Sequence, residues 1–327
     1  MKVLDERDLD GLRRQALVYA ALCSWSSAGL FEALADGTTR RAQALGVSER
    51  GLEVTGQVLR GIGLVECSAA GWSLSAQGVA LQQKKALEIR RSEQFFDNLA
   101  QVEGALVTGA PVHRTEIGVV DSDPQRTREF LEMLYRRSRD SVVETANLLG
   151  PLLKPGDQVL DLGGGHGRYG EALREHCGAE VTLLDLPVSI GSAKDRYGAA
   201  QQYIEGDFMQ CELGGPYDAV LMSNVVHGLG PDQLKTLLPR LAGCLAPGGL
   251  LVLKDMFIDG GCEPGIAEAF GMQMLLATAD GRSYSVAQIT DLVAAAGFAD
   301  PQCHPVVHCD FSLLIFRRVP PRSAPQD

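Results

Sequence analysis

Short apolar segments alternate with helical patterns through the second half of the chain. The first segment, residues 159–162, leads into a glycine-rich turn at residues 163–167, and a helix is predicted to begin near Arg168. The next segment, residues 181–184, is followed by an acid, Asp185. Glycine in such a turn lets a ligand approach the backbone and permits positive φ. This order of strand, turn, helix, strand and acid predicts a nucleotide-binding half of a doubly wound sheet.

The strand pattern continues almost to the end of the chain. The strand candidates are residues 158–162, 180–185, 202–204, 217–222, 249–256 and 311–317. Strands that alternate with helices are typical of a parallel α/β sheet, which binds ligands at the carboxyl ends of its strands. We therefore predict an α/β, Rossmann-like domain over residues 151–319 and a disordered, proline-rich tail over residues 320–327.

The first 150 residues predict a helical domain instead. Its predicted elements are two helices over residues 8–35, two short helices over 38–66, a hairpin of 64–67 and 71–74, and a mostly helical segment over 80–150. Helices followed by a hairpin are the order of a winged helix. A DNA reader would carry Lys and Arg on its third helix and wing, but residues 51–61 offer only Arg60. We therefore predict a winged-helix dimerisation module, with a ligand-sensing DNA regulator as the alternative.

Composition and charge restrict the possible functions. The chain has 327 residues, of which 45% are apolar and 22% charged, as in an ordinary globular protein of two domains. No apolar run approaches the ~20 residues of a membrane span. Residues 1–6 lack the apolar core of a signal peptide, so we expect a cytoplasmic protein. A formal net charge of −11 argues against a nucleic-acid substrate, and eight scattered cysteines without a C-x-x-C pair predict no metal site.

The glycine pattern alone would also suit a nicotinamide cofactor, so its context decides between cofactors. The spacing Gly163-x-Gly165-x-Gly167 does not place its final glycine where the dinucleotide fingerprint does. In addition, Asp161 stands two residues before the first glycine, Gly163. With Asp185 on the next strand, this pattern resembles the S-adenosylmethionine (SAM) site of class I methyltransferases. Further matching segments follow in order: Asp185-Leu186-Pro187, Gly206-Asp207-Phe208, Tyr217-Asp218-Ala219-Val220-Leu221, Ser223-Asn224-Val225-Val226-His227 and Leu245-Ala246-Pro247-Gly248-Gly249. Over nearly its whole length the chain resembles the plant caffeic-acid type of small-molecule O-methyltransferase, in its bacterial secondary-metabolism branch.

The resemblance implies where the cofactor would lie. Asp161 would hold the methionyl ammonium group directly or through water, and Gly163 and Gly165 would allow the ligand to come close. Asp185 would accept both ribose hydroxyls. The other predicted cofactor residues are Leu186 on the adenine, Asp207 at the adenine amino group with Phe208 stacking nearby, and Ser223, Asn224 and Ser138.

His227 is the predicted general base. It follows the strand at 219–222 and aligns with the catalytic histidine of the plant enzymes, where an imidazole takes a phenolic proton as the methyl group arrives. Asp255 matches the acid that orients this histidine. Two features depart from the family pattern: Gly228-Leu229-Gly230 follows the histidine where the family usually has an acidic or aromatic pair, and Ser283 stands where the second flanking acid is expected. Because serine cannot support an imidazolium by charge, an acidic phenol would suit this base.

The resemblance also places an acceptor pocket between helices. Its predicted lining is Phe96, Phe130, Met133, Phe270 and Met274, for which ordinary core packing is the competing interpretation. We predict a homodimeric, SAM-dependent O-methyltransferase acting on a small aromatic hydroxylated metabolite. C- or N-methylation, or decarboxylation or hydroxylation on the same fold, are the alternative reactions. His166, inside the turn, receives no role from the sequence.

Overall fold

The computed structural model describes residues 6–35, 46–83, 99–111, 123–261, 263, 265–306 and 309–319. Phe96 and the predicted tail lie outside the described residues. The chain divides into two compact units, Met1–Ala100 and Gln101–Asp327. The helices that follow Ala100 therefore belong to the same unit as the sheet, whereas the sequence placed the domain boundary near residue 150.

The first unit consists of helices and one hairpin. Its elements are α1 (Glu6–Ser27), α2 (Leu30–Ala35), α3 (Glu49–Gly61), β1 (Val65–Ser68), β2 (Gly71–Leu74) and α4 (Ala76–Gln83). Strands β1 and β2 pair antiparallel at the predicted positions. Ser48 caps α3 by accepting a hydrogen bond from the backbone N–H of Gly51 at 3.1 Å. Trp25 lies at the centre of the core, with its ring centroid 5.7 Å from that of Phe31 and 6.2 Å from that of Trp72.

The second unit contains three helices, followed by an alternation of strands and helices. Its elements are α5 (Val102–Thr108), α6 (Pro124–Arg137), α7 (Arg139–Leu149), β3 (Gln158–Leu162), α8 (Arg168–Cys177), β4 (Glu180–Asp185), α9 (Pro187–Tyr197), β5 (Gln202–Glu205), β6 (Tyr217–Ser223), α10 (Pro231–Cys244), β7 (Leu245–Asp255), α11 (Ile266–Ala277), α12 (Val286–Ala295), β8 (Phe298–Val306) and β9 (Phe311–Arg318). Asp123 caps α6, and Pro124 stands in its first turn.

Seven strands form one mixed sheet in the order β5-β4-β3-β6-β7-β9-β8. Strands β5, β4, β3, β6 and β7 are parallel to their neighbours, whereas β9 runs antiparallel to both β7 and β8. The predicted parallel α/β sheet is therefore a mixed sheet, because β9 and β8 are antiparallel at this edge. Strand β8 was missed because Pro301 and Pro305 interrupt its pattern and most of its side chains are exposed, which an edge strand tolerates.

Helices cover both faces of the sheet. On one face α10 and α12 pack against Leu160, Val220 and Leu251, and on the other α7 and α8 pack against Val159 and Val252. The carboxyl ends of the parallel strands meet at one edge of the sheet, where ligands bind in open α/β folds. No helix within the described ranges is long and apolar enough to cross a membrane.

Candidate active site

The turn after β3 requires glycine at residues 163–165. Gly163 and Gly165 adopt φ values of 68° and 53°, which residues with a side chain rarely adopt. A Cβ on Gly163 would lie 2.8 Å from a methyl of Val225. A Cβ on Gly164 would lie 2.4 Å from the carboxylate of Asp161. The turn therefore places backbone without side chains at the carboxyl ends of the strands, where a ligand can approach it closely, as the sequence predicts.

Asp161 is a buried carboxylate that is only half satisfied. The side chain is fully buried at the end of β3, and Oδ2 accepts a hydrogen bond from the N–H of Gly170 at 3.2 Å. Its Oδ1 is buried and has no partner. Burial, together with the nearby charge of Asp185, raises the pKa of Asp161 to about 7. Such a group gains from any ligand that brings a cationic N–H donor.

Asp185 is fixed at the end of β4 by two backbone donors. Its Oδ2 accepts from the N–H of Gly165 at 2.8 Å, and its Oδ1 accepts from the N–H of Leu186 at 2.7 Å. The first of these bonds joins β4 to the glycine turn. The carboxylate is partly exposed, so it keeps acceptor capacity for hydroxyl donors. Leu186 follows as the N-cap residue of α9 and is also partly exposed.

The loop after β5 returns to the same turn. The aromatic ring of Phe208 comes within 3.7 Å of the position that a Cβ on Gly163 would take. Asp207 beside it accepts from the N–H of Met209 at 2.8 Å and from the side-chain amide of Gln210 at 3.0 Å. Phe208 thus lies at the glycine turn, and the neighbouring Asp207 is held within its own loop.

Two further acceptors stand at the end of β6. Ser223 Oγ and Asn224 Oδ1 are buried and have no hydrogen-bond partner. Asn224 also adopts a φ of 59°, and its N–H donates to the carbonyl of Lys254 at 2.8 Å. Ser138 differs from both: its hydroxyl donates to the carbonyl of Tyr135 at 3.0 Å, at the junction of α6 and α7.

These residues fit the cofactor that the resemblance implies. Asp161 Oδ1, Ser223 Oγ and Asn224 Oδ1 are buried acceptors without partners, and an unpaired buried polar atom is costly. The ammonium group of SAM offers N–H donors, and its ribose offers the hydroxyls that Asp185 could accept. The glycine turn leaves room for close approach of such a ligand.

His227 and Asp255 form a hydrogen-bonded pair on the β7 side of the same edge. Asp255 ends β7 and is 1% exposed, and its Oδ1 lies 2.8 Å from His227 Nδ1. Its Oδ2 accepts from the backbone N–H of His227 at 3.1 Å, and its Oδ1 from that of Met256 at 2.8 Å. Burial by itself would raise the pKa of Asp255, but His227 and these donors outweigh burial and lower it. Because the carboxylate accepts from Nδ1–H, the Nε2 lone pair is left to accept a proton.

An aromatic ring, rather than a second acid, packs against this imidazole. Phe270 on α11 meets the His227 ring nearly at right angles, with 4.8 Å between centroids. The hydroxyl of Ser283 donates to the carbonyl of Ala267 at 2.6 Å and so is bound to α11. Met274, one turn after Phe270, is buried. Asp255 and Phe270 thus provide His227 with a carboxylate and an aromatic neighbour.

The predicted pocket residues lie on two helices of this unit. Phe130 and Met133 are half-buried on α6, and their neighbour Leu131 comes within 3.1 Å of the position that a Cβ on Gly165 would take. Helix α6 is thus placed at the glycine turn and α11 at His227. Within the described ranges, no cluster of three or more metal-ligating side chains occurs.

The sequence did not reveal one group of side chains beside the turn. Arg168 and Arg196 both lie over the ring of Tyr135, and that ring meets His166 edge to face. The available signal was Arg168 directly after the glycines, together with the unassigned His166 inside them. Lys254, 1% exposed, was also missed; its Nζ lies 4.0 Å from the Phe311 ring centroid.

Comparison with known proteins places these observations in a family. The model of the O-methyltransferase domain matches residues 107–299. The 3-hydroxy-5-methyl-1-naphthoate 3-O-methyltransferase of Streptomyces sahachiroi is 27% identical over 313 residues, which cover 85% of this chain and 88% of that one. Human N-acetylserotonin methyltransferase in complex with SAM shares 18% identity and a TM-score of 0.75 over 98% of this chain and 100% of that one. An O-methyltransferase from neocarzinostatin biosynthesis, in complex with SAM and 2-hydroxy-5-methyl naphthoic acid, shares 20% identity and a TM-score of 0.74 over 92% and 95%. At these identities the two structures show a shared fold.

Proposed function

The chain belongs to the O-methyltransferase domain family and is a SAM-dependent O-methyltransferase, and we propose that it methylates a hydroxyl of a small aromatic metabolite with His227 as the base. The observation that carries this proposal is the His227–Asp255 pair, 2.8 Å apart, at the sheet edge that also holds the unpartnered acceptors. The naphthoate acceptor of the Streptomyces relative supports an aromatic substrate.

The cofactor side would act by binding and orientation. Bound SAM supplies a methyl group on a positively charged sulfur. Asp161, with Ser223 and Asn224, would hold the ammonium end through their unpartnered acceptor atoms. Asp185 would accept the ribose hydroxyls while its bonds to the N–H groups of Gly165 and Leu186 keep it in place. Holding the reactants in line supplies much of the rate enhancement in such a displacement.

The acceptor side would remove the proton. His227 Nε2 would take the hydroxyl proton as the oxygen is methylated, and Asp255 would keep the imidazole oriented and stabilise its protonated form. Asp255 shares its charge among three N–H donors. Because Asp255 shares its negative charge among these donors, it stabilises the protonated His227 less than an unshared carboxylate would. A weaker base of this kind favours an acceptor whose hydroxyl is already acidic, such as a phenol conjugated to a carbonyl.

The first unit would serve assembly. Helix α1 carries large apolar side chains that are half-exposed or more, namely Leu9, Leu12 and Leu17. Such a row of exposed leucines is typical of a surface that meets a partner. The winged-helix order of elements in this unit, the homodimer and cytoplasmic residence are parts of this proposal. Sedimentation equilibrium tests the homodimer, and a monomeric wild-type protein at micromolar concentration would contradict it.

The reaction is tested by supplying methyl-labelled SAM and a panel of hydroxylated aromatic acids and quinones. We expect a labelled methyl ether and an equal amount of S-adenosylhomocysteine, formed only when an acceptor is present. Label found on carbon or nitrogen would assign a different transfer. Tight cofactor binding without transfer to any aromatic hydroxyl would contradict the proposed acceptor class. A mobility shift of random duplex DNA at low salt would indicate the regulator alternative.

A further inference from the structure

Helix α6 lies directly against the glycine turn. Leu131 comes within 3.1 Å of the position that a Cβ on Gly165 would occupy. The same helix carries Phe130 and Met133, which are predicted to line the acceptor pocket. A ligand bound at the turn would therefore have α6 as its neighbour. The position of α6 would determine how accessible this binding site is.

Two guanidinium groups lie over the ring of Tyr135, near the end of α6. The central carbon of the Arg196 guanidinium is 3.8 Å from the Tyr135 ring centroid, and that of Arg168 is 4.4 Å away. Arg168 also donates to the backbone carbonyl of Tyr135. Arg168 is the first residue of α8, directly after the glycine turn, and Arg196 is near the end of α9. One tyrosine ring thus joins α6 to both helices that flank the turn.

His166 extends this contact into the turn itself. Its ring meets Tyr135 edge to face, with 5.9 Å between centroids, and its Nδ1 accepts from the N–H of Arg168 at 3.1 Å. Burial, followed by the charges of Arg168 and Arg196, lowers the pKa of His166 to about 4. The imidazole is therefore neutral near pH 7 and adds no positive charge between the two arginines.

The aromatic contacts, rather than the neighbouring ion pair, provide the attachment. Arg196 also pairs with Glu132 at 2.7 Å, but both side chains are more than a third exposed. Exposed ion pairs contribute little to stability. The Tyr135 ring, in contrast, is contacted by two cations, and each such contact is favourable even at an exposed site. Removing the ring of Tyr135 would therefore loosen α6 more than removing the charge of Glu132.

We propose that Tyr135 is a positioning residue that holds α6 closed on the glycine turn and so slows release of the cofactor product. The inference rests on the proposed cofactor site at that turn. Tyr135 acts through α6 and through the two arginines, and it takes no part in methyl transfer. Cofactor and product would exchange when α6 moves away from the turn.

The test uses labelled S-adenosylhomocysteine, chased by an excess of unlabelled compound. Tyr135→Leu removes the ring and is expected to speed release about 5- to 20-fold, since two cation–ring contacts are lost. Tyr135→Phe keeps both cation–ring contacts and loses only the hydroxyl that is hydrogen-bonded to Tyr197 of α9, so it should speed release less than Tyr135→Leu, by about twofold at most. In hydrogen exchange, residues 124–137 should gain protection on ligand binding in wild type and in Tyr135→Phe, but not in Tyr135→Leu.

A matched control separates this role from general loosening. Tyr203 makes a comparable contact with Lys194 of α9, whose Nζ is 5.6 Å from the ring centroid, but it stands on β5. Tyr203→Leu should leave the release rate within about twofold of wild type, because α6 keeps its attachment. If Tyr203→Leu and Tyr135→Leu speed release equally, or if Tyr135→Leu releases at the wild-type rate, the proposal is overturned.

A second pair of variants keeps the test decisive if Tyr135→Leu fails to fold. Arg196→Gln removes one of the two cations over the ring and the ion pair with Glu132. Glu132→Gln removes that ion pair and the Glu132–Arg136 pair within α6, but leaves both cations over the ring. Faster release in Arg196→Gln but not in Glu132→Gln supports the role of the ring contact, and equal release in both overturns it. A wild-type protein that binds no S-adenosylhomocysteine would instead disprove the proposed cofactor site.

Discussion

The two sides of the candidate site differ in how completely their polar groups are satisfied. On the cofactor side, around the glycine turn and the end of β6, Asp161, Ser223 and Asn224 each bury an acceptor without a partner. On the acceptor side, Asp255 accepts from three N–H groups. The cofactor side is therefore built to be completed by a polar ligand. The acceptor side is already complete and offers one base beside an apolar wall.

This difference implies that variants should separate cleanly into two kinds. Changes on the acceptor side should lower kcat and leave the affinity for S-adenosylhomocysteine unchanged. Changes on the cofactor side should weaken that affinity and leave kcat at saturation nearly unchanged. A variant that changes both would show that the two sides are coupled.

The largest expected effect is that of His227→Ala. Loss of the proposed base should lower kcat about 10²- to 10⁴-fold, the usual contribution of general base catalysis. The affinity for S-adenosylhomocysteine, measured by calorimetry, should stay within about twofold of wild type, because no cofactor residue is lost. A kcat near that of wild type would remove His227 from the mechanism.

The next effect falls on the cofactor side. Asp185→Asn keeps an acceptor oxygen but loses the charge, and hydrogen bonds to charged groups are worth about 1.5–3 kcal/mol. We expect S-adenosylhomocysteine to bind about 10- to 100-fold more weakly, with little change in kcat at saturating SAM. Asp218→Asn is the matched control, because Asp218 accepts from the N–H of Gln158 at 2.8 Å at the opposite end of the strands. Equal weakening in both variants would mean that Asp185 acts through the fold alone.

A smaller effect follows from protonation of Asp161. Its pKa of about 7 means that the ligand-free protein holds a proton there at pH 6. An ammonium ligand requires the carboxylate, so the affinity for S-adenosylhomocysteine should rise about tenfold per pH unit from pH 5.5 to 7 and then level off. Calorimetry in buffers of different ionisation enthalpy measures the proton released. Asp161→Asn should bind weakly and without this slope, and a wild-type affinity independent of pH would contradict the prediction.

The same pKa shift predicts the opposite trend for the stability of the ligand-free protein. A carboxyl group whose pKa is raised on folding binds its proton more tightly in the folded than in the unfolded chain. Its contribution is therefore present at low pH and is lost as the pH rises from about 4 to 7. The free energy of unfolding of wild type relative to Asp161→Asn should fall over that interval.

The cofactor side was the more predictable from the sequence because its signals are local. The glycines, Asp161 and Asp185 lie within 25 residues, and the predicted strands at 158–162 and 180–185 have the bounds that the structure shows for β3 and β4. The same glycine spacing demands positive φ wherever it occurs after such a strand. Patterns of this kind, confined to a short stretch of chain, can be recognised in a single sequence.

The remainder depends on contacts between distant segments. Tyr135 meets Arg168 and Arg196 across gaps of 33 and 61 residues, and neither arginine is unusual in its own helix. The sequence predicts that Ser283 departs from the family pattern, but the hydrogen bond from its hydroxyl to the carbonyl of Ala267 could not be predicted from the residues. Strand β8, with two prolines and an exposed pattern, resembles a loop until β9 pairs with it.

The smallest expected effect would test how far the apolar wall assists the base. Phe270→Leu keeps an apolar side chain but removes the ring that lies 4.8 Å from His227. Aromatic pairs contribute about 0.5–1.5 kcal/mol beyond their buried area, so kcat should fall about 2- to 10-fold while the affinity for S-adenosylhomocysteine stays constant. Met272→Leu, on an exposed position of the same helix, should leave both unchanged. A loss as large as that of His227→Ala would mean that Phe270 sets the position of the base, and weaker cofactor binding would show that the two sides are not separate.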